Sequence, residues 1–216
     1  MICPICQKRK AKRFCPAKAE TICTVCCGTE REVTIDCPAE CPHLMASREH
    51  DFERHNLDRS EFPFPDAKIT PSFVAAHQDL LLDLSYAICL FARDNSALVD
   101  SDVIATLKSL VEAYRTLASG LVYENPPAYR IQRELYEAVK TGIEEYKKGE
   151  REKMVVASFR NIRNGEICDI LVFLTQLGAL RSNGRPKGRA YLDFLRTQFR
   201  PETFSKATSD IVLHIS

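Results

Sequence analysis

From residue 70 onward, apolar positions recur at alternating steps of four and three. Phe73, His77, Leu80, Leu84, Ala87 and Phe91 form one such series, and Val103, Leu107, Leu110, Tyr114, Leu117 and Leu121 a second. Tyr129, Gln132, Tyr136, Val139, Ile143 and Tyr146 form a third. This is the period of amphipathic helices that bury one stripe. Thr70 with Pro71 supplies an N-cap and a first helical position for the first helix. Ser101 and Asp102 open the second, and Asn125 with Pro126 the third, which the pattern ends near Gly149. The links between them read as short, which favours antiparallel neighbours in a bundle. Two shorter helices follow over 150–164 and 166–180, divided at Asn164-Gly165. The second of these is apolar on most sides and is expected to be the most buried element. A basic loop from Arg181 to Arg189 precedes a last helix from Ala190 to about Phe199, stopped by Pro201. Ile211-Val212-Leu213 fits either a short strand or packed coil. Other strand signals are nearly absent and no internal repeat is visible, so residues 70–216 read as an all-α antiparallel helical bundle.

The first 45 residues follow a different logic. Of ten cysteines in the 216-residue chain, eight lie before residue 42: Cys3, Cys6, Cys15, Cys23, Cys26, Cys27, Cys37 and Cys41. No charged leader followed by an apolar stretch opens the sequence, which sets the expectation of a reducing, cytoplasmic compartment. There, Cys-x2-Cys pairs favour thiolates on zinc over disulfides or iron–sulfur ligation. Structural zinc takes four tetrahedral ligands, so eight cysteines fill two all-thiolate sites, for two Zn2+ ions. The simplest partition gives Cys3, Cys6, Cys23 and Cys26 to one ion and Cys15, Cys27, Cys37 and Cys41 to the other. Spacing leaves open whether Cys26 or Cys27 serves the first site. His43 is an alternative ligand for the second, or simply begins the following helix. Such a segment is too small to rely on its own core, and metal would supply folding free energy on the order of 10 kcal/mol per site.

Cys3-Pro4-Ile5-Cys6 followed by Cys15-x7-Cys23-x2-Cys26 resembles a B-box zinc finger. The resemblance covers residues 1–45 and implies two interleaved zinc sites in a module that mediates protein association or self-association. The sequence departs from the family in two places. Lys18 stands where an acidic ligand is expected, and Cys37 and Cys41 replace the closing histidine pair, which leaves Cys27 to supply the missing ligand. MYND- and HIT-type fingers share the interleaved pattern. Neither a preceding RING nor a long coiled coil accompanies the module, so the resemblance does not extend to a tripartite-motif ubiquitin ligase.

Residues 46–69 read as a helix and a linker, with Phe62-Pro63-Phe64-Pro65 disfavouring helix. Lysine and arginine number 30 against 29 aspartate and glutamate, a net charge of +1. That balance excludes binding to nucleic acid or membrane through bulk charge, and no apolar run is long enough to cross a bilayer. Local clusters remain: Lys8, Arg9, Lys10, Lys12 and Arg13 between two zinc ligands, and Arg181, Arg185, Lys187, Arg189, Arg196 and Arg200 near the C-terminus. A zinc-fixed basic loop suits phosphates; the plainer alternative is a solvated, solubilising surface. His77 is expected in the core or at its boundary rather than as a ligand, and Cys89 and Cys168 as buried apolar residues. No phosphate-binding glycine loop, nucleophile elbow or His-Glu-x-x-His is present. The expected function is therefore a non-enzymatic zinc-binding adaptor with a protein partner or self-association. The alternatives are nucleic-acid binding through Lys8–Arg13, and a redox switch through zinc release.

Overall fold

A computed structural model describes residues 1–54, 61–154 and 162–204. The chain is mainly α, with a small N-terminal module that carries a two-stranded sheet. In that module, β1 (Arg13–Cys15) pairs antiparallel with β2 (Glu20–Ile22), placing Phe14 opposite Thr21. There follow α1 (Thr24–Glu30), α2 (Pro42–Arg54), α3 (Pro71–Ala76), α4 (Gln78–Asp94) and α5 (Asp100–Ala118). Next come α6 (Arg130–Met154), α7 (Asn164–Arg181), α8 (Ala190–Arg196) and a 3-10 turn over Pro201–Phe204. Among the described residues no helix is long and apolar enough to cross a membrane.

Much of the expected stripes lies in the core: Leu80 and Leu84 from α4, Val103, Leu107 and Leu110 from α5, and Tyr136, Val139 and Ile143 from α6 are buried, joined by Ile88 and Leu135 from outside the expected series, whereas Tyr129 is exposed. The helix predicted over 166–180 is present as α7. It buries Ile167, Ile170, Leu171 and Leu174 along α5. Gly178 admits a close approach to α8, because a Cβ there would lie 2.9 Å from the Tyr191 ring. Tyr191 in turn donates its hydroxyl to the Leu174 carbonyl at 2.9 Å. Asp100 reaches from the start of α5 to accept the Tyr191 and Leu192 amides at 3.0 and 3.1 Å, capping α8 from outside its own chain segment.

Several helix limits differ from expectation. The first long helix is two, because His77 leaves helical geometry (φ −119°, ψ 24°) and turns its Nδ1 to donate to the Phe73 carbonyl at 2.9 Å. The Thr70 cap is present, with its side chain accepting the Phe73 amide. The α5 helix stops at Ala118, where Gly120 takes φ +85°. The Gly120 and Leu121 amides close a Schellman pattern on Leu117 and Thr116, which turns Leu121 out to solvent. Asn125-Pro126 does not open a helix; α6 starts at Arg130 and runs through Gly149 to Met154. Residues 150–154 thus extend α6 rather than start another helix. Residues 155–161 and the tail at 211–213 lie outside the described residues.

One neighbouring pair also departs from antiparallel order. Val111 and Ile104 on α5 meet Cys168 and Gly178 on α7, so those two helices run oppositely. Asp102 and Thr106 instead meet Gln132, and Tyr114 lies under Lys147, so α5 and α6 run the same way. The stretch from Ser119 to Tyr129, carrying Pro126-Pro127, returns the chain along α5. About 3.3 Å per residue of extended chain suffices to span a helix of that length.

Candidate metal centre and the seam around it

The knuckle at Cys3-x2-Cys6 and the start of α1 bring four thiols together. Cys3, Cys6, Cys23 and Cys26 place their Sγ atoms all within 4.8 Å of one another. Cys6 and Cys23 are 3.9 Å apart at sulfur. A tetrahedron with Zn–S bonds of about 2.3 Å has edges of about 3.8 Å, so the spacing fits zinc and is far too long for a disulfide. Local backbone geometry prepares the knuckle. Gln7 adopts φ 51° and donates its amide to the Cys3 carbonyl at 2.8 Å. The turn aims the Lys8 and Arg9 amides at Cys6, which pulls that thiol down to about 6. Burial opposes ionisation of Cys3, but amides of Cys6, Cys23 and Ile5 outweigh it and lower its pKa. Cys23 caps α1, its sulfur accepting the Cys26 amide at 3.3 Å. Burial, then the three neighbouring sulfurs, push Cys26 up to about 12. Four thiolates cannot coexist there without a cation, and a divalent ion removes that conflict. The donor set could therefore hold one zinc ion. Bound there, zinc would supply folding free energy to a core made of these cysteines with Ile22 and Ile35.

The remaining predicted ligands are arranged differently. Cys37 is raised by burial, and the neighbouring Cys41 and Cys15 thiols add to the rise. These three are close, but among the described residues no second set of three or more candidate ligands meets the spacing of the tetrad. Cys27 turns away to accept from the Arg13 and Arg31 guanidinium groups at 3.8 and 3.7 Å. His43 lies half-buried in the first turn of α2. Cys89 and Cys168 are buried as expected; burial drives Cys89 up to about 12 and also raises Cys168.

The two basic clusters part company. Lys8, Arg9, Lys10 and Lys12 are exposed, and Arg13 is half-buried. Four of the six residues of the C-terminal cluster enter a seam between the cysteine module and the bundle, whereas Arg196 pairs with Asp193 in its own helix and Arg200 is exposed. Arg185 forks onto the Gly28 and Arg31 carbonyls, at the negative end of α1. Lys187 donates its amide to the Glu32 carbonyl at 2.8 Å and its Nζ to the Thr34 carbonyl at 3.0 Å. Arg189 pairs with Asp36 at 2.7 Å, and Arg181 is stacked between Phe52 and Phe194, 4.2 and 3.9 Å from their centroids.

At the centre of the seam is Glu32, 1% exposed and held at φ 51°. Its carboxylate accepts from Arg48 Nη2 and Asn183 Nδ2, both at 2.6 Å, and from the Arg189 amide at 3.4 Å. Arg48 also pairs with Asp193 on α8 at 2.6 Å, so α2 is clamped to both sides. Sequence reasoning missed Glu32, because a lone acid in Arg31-Glu32-Val33-Thr34 carries no local sign of its distant partners.

No protein-family model, curated protein or solved structure matches the chain.

Proposed function

We propose that the chain is a non-enzymatic, cytoplasmic zinc-braced adaptor, in which metal fixes a small module onto a helical bundle that engages a protein partner. The observation that carries this reading is how the tetrad is used. Four thiolates fill a tetrahedral ion and leave no open position for water, and the module holding them is sealed to the bundle through Glu32, Arg48 and Arg185. Zinc in such a place acts on folding and rigidity rather than on a substrate. The B-box-like, double-zinc arrangement belongs to the same proposal, with Cys15, Cys37 and Cys41 joined by Cys27 or His43 on a second ion. The proximity of the Cys41 and Cys15 thiols to Cys37, which adds to the rise that burial imposes on Cys37, supports it. Native mass spectrometry tests this by counting one ion or two. The adaptor reading is tested by recovering the full chain after crosslinking and nuclease treatment. A protein partner that persists, and that tolerates Lys8→Glu with Lys12→Glu, is expected. A complex that disappears with nuclease would overturn it.

A second reading has one specific observation in its favour. Phe14 is 61% exposed on β1, beside the exposed Lys8–Lys12 loop. A bare aromatic flanked by lysines is the arrangement that stacks unpaired bases while neutralising phosphates. Binding to pooled DNA and RNA across about 50 to 300 mM salt tests it. A steep log–log slope abolished by neutralising Lys8–Arg13 supports the reading, and no binding at the lowest salt removes it.

A further inference from the structure

The strap that joins α5 to α6 has to reach back along α5, and reach sets only its length. Its side chains need another reason. Leu121, Val122, Tyr123 and Tyr129 are all well exposed, and they make up four of the twelve large apolar side chains in that state among the described residues. Apolar exposure concentrated in one connection marks an interaction surface rather than scattered surface residues.

The strap is also tied down on both sides of its two prolines. Before them, Thr116 Oγ1 donates to the Tyr123 carbonyl at 3.1 Å, and Lys140 Nζ donates to both Glu124 carboxylate oxygens at 2.7 Å. After them, the Arg133 guanidinium donates to the Pro127 and Ala128 carbonyls at 3.3 and 2.9 Å. Between these ties, residues 121–127 form neither helix nor strand. Pro126 and Pro127 fix their own φ, lack an N–H, and push the residue before each towards extended geometry, which together favour polyproline II. Pro126 and Ala128 are exposed and Pro127 half-buried, and among the described residues no donor engages the Asn125 or Pro126 carbonyl.

A polyproline II segment is read by a groove that packs its prolines between aromatic rings and donates to its free carbonyls. Two adjacent prolines are too few for a reader that spans Pro-x-x-Pro, and no residue from 119 to 129 completes that spacing. Tyr129, 73% exposed and two residues past Pro127, supplies the third anchor instead. We infer that Pro126-Pro127-Ala128-Tyr129 is a docking site for a proline-reading protein module of the WW class, which holds the prolines between aromatic rings and the tyrosine in an adjoining pocket. The inference rests on the adaptor reading and names its partner class. The ties from Lys140 and Arg133 order the strap in advance, so a partner spends little of its binding energy on ordering it.

The test titrates the full, zinc-loaded chain into a labelled WW domain that reads Pro-Pro-x-Tyr and, separately, into an SH3 domain that reads Pro-x-x-Pro. By fluorescence anisotropy the WW domain is expected to bind with a Kd of roughly 10 to 100 μM, and the SH3 domain at least about tenfold more weakly. Tyr129→Ala and Pro126→Ala should each weaken the WW domain about tenfold or more. Both residues are exposed, so the melting temperature should stay within about 2 °C of wild type. Tyr123→Ala removes an exposed tyrosine outside the four-residue unit and should leave the affinity within about twofold. Absence of WW binding at about 1 mM chain, or binding that Tyr129→Ala leaves unchanged, would overturn the assignment. So would equal losses from Tyr123→Ala and Tyr129→Ala, since the strap would then be adhesive rather than read. A crosslinked partner that stays bound to the Tyr129→Ala chain would remove the strap and leave the adaptor reading standing. WW binding that depends on Tyr129, in a chain that yields no protein partner on crosslinking, would do the reverse.

Discussion

Replacing Glu32 probes the seam where it is most concentrated. Its carboxylate holds two bonds of 2.6 Å, from Arg48 and Asn183, and a long one of 3.4 Å from the Arg189 amide. Charge-assisted hydrogen bonds contribute about 1.5–3 kcal/mol each, and the long contact little. Arg48 keeps Asp193 at 2.6 Å after the substitution, so its guanidinium is weakened rather than orphaned, whereas the Asn183 amide loses its acceptor. Breaking a buried pair by removing one partner costs about 3–5 kcal/mol, so Glu32→Ala should lie in that range. Glu32→Gln retains one acceptor oxygen and should cost about 1–3 kcal/mol. For a chain of this size, the alanine variant should melt roughly 10 °C lower by circular dichroism. Glu32 is not a ligand, so zinc content should be unchanged, and limited proteolysis should cut first between the module and the bundle. A melting shift of about 1 °C or less, with an unaltered cleavage pattern, would refute the claim that this residue closes the seam.

Three further outcomes are expected. Gly178→Ala should lower stability by about 1–3 kcal/mol in denaturant unfolding, despite the better helix propensity of alanine, because the added Cβ meets the Tyr191 ring at 2.9 Å. Gln7→Gly should stabilise the knuckle by up to about 1 kcal/mol, since Gln7 sits at φ 51°; slower zinc loss to a chelator is the readout. Asp100 is raised from 3.8 to about 6 by burial, against the Tyr191 and Leu192 amides that favour its charge. The folded chain therefore holds more protons than the unfolded one between those values. Relative to Asp100→Asn, wild type should gain on the order of 3 kcal/mol as pH falls from about 6 to 4, and a gap independent of pH would contradict that assignment.

How much of this was legible in the sequence differs by element. The two knuckles were legible, because two residues between cysteines suffice to aim both sulfurs at one point, but the choice of Cys26 over Cys27 was open in the spacing and is made by the fold. The behaviour of Cys27 was not legible, since Arg13 and Arg31 reach it through the fold. The helical stripes were visible because burial repeats with the helix, whereas their ends depended on competing local signals. Leu121 fits the period of α5, but Gly120 one residue earlier takes the left-handed geometry that stops the helix. The parallel run of α5 and α6 was hidden because its cause is the reach of the 119–129 strap rather than any pattern within the helices. The basic loop from Arg181 to Arg189 read as a surface because its partners, the Gly28, Arg31 and Thr34 carbonyls and the Glu32 carboxylate, are about 150 positions away. Local composition records charge but not what faces it.

Metal analysis of the purified full chain beside Cys26→Ser, combined with proteolysis of both, tests the zinc-braced seam most directly. Zinc is expected in the wild-type chain, with one ion fewer per chain after the substitution and cleavage newly appearing between the module and the bundle. A metal-free wild-type chain with an intact, protease-resistant module would contradict it, as would a Cys26→Ser chain that keeps its full zinc content.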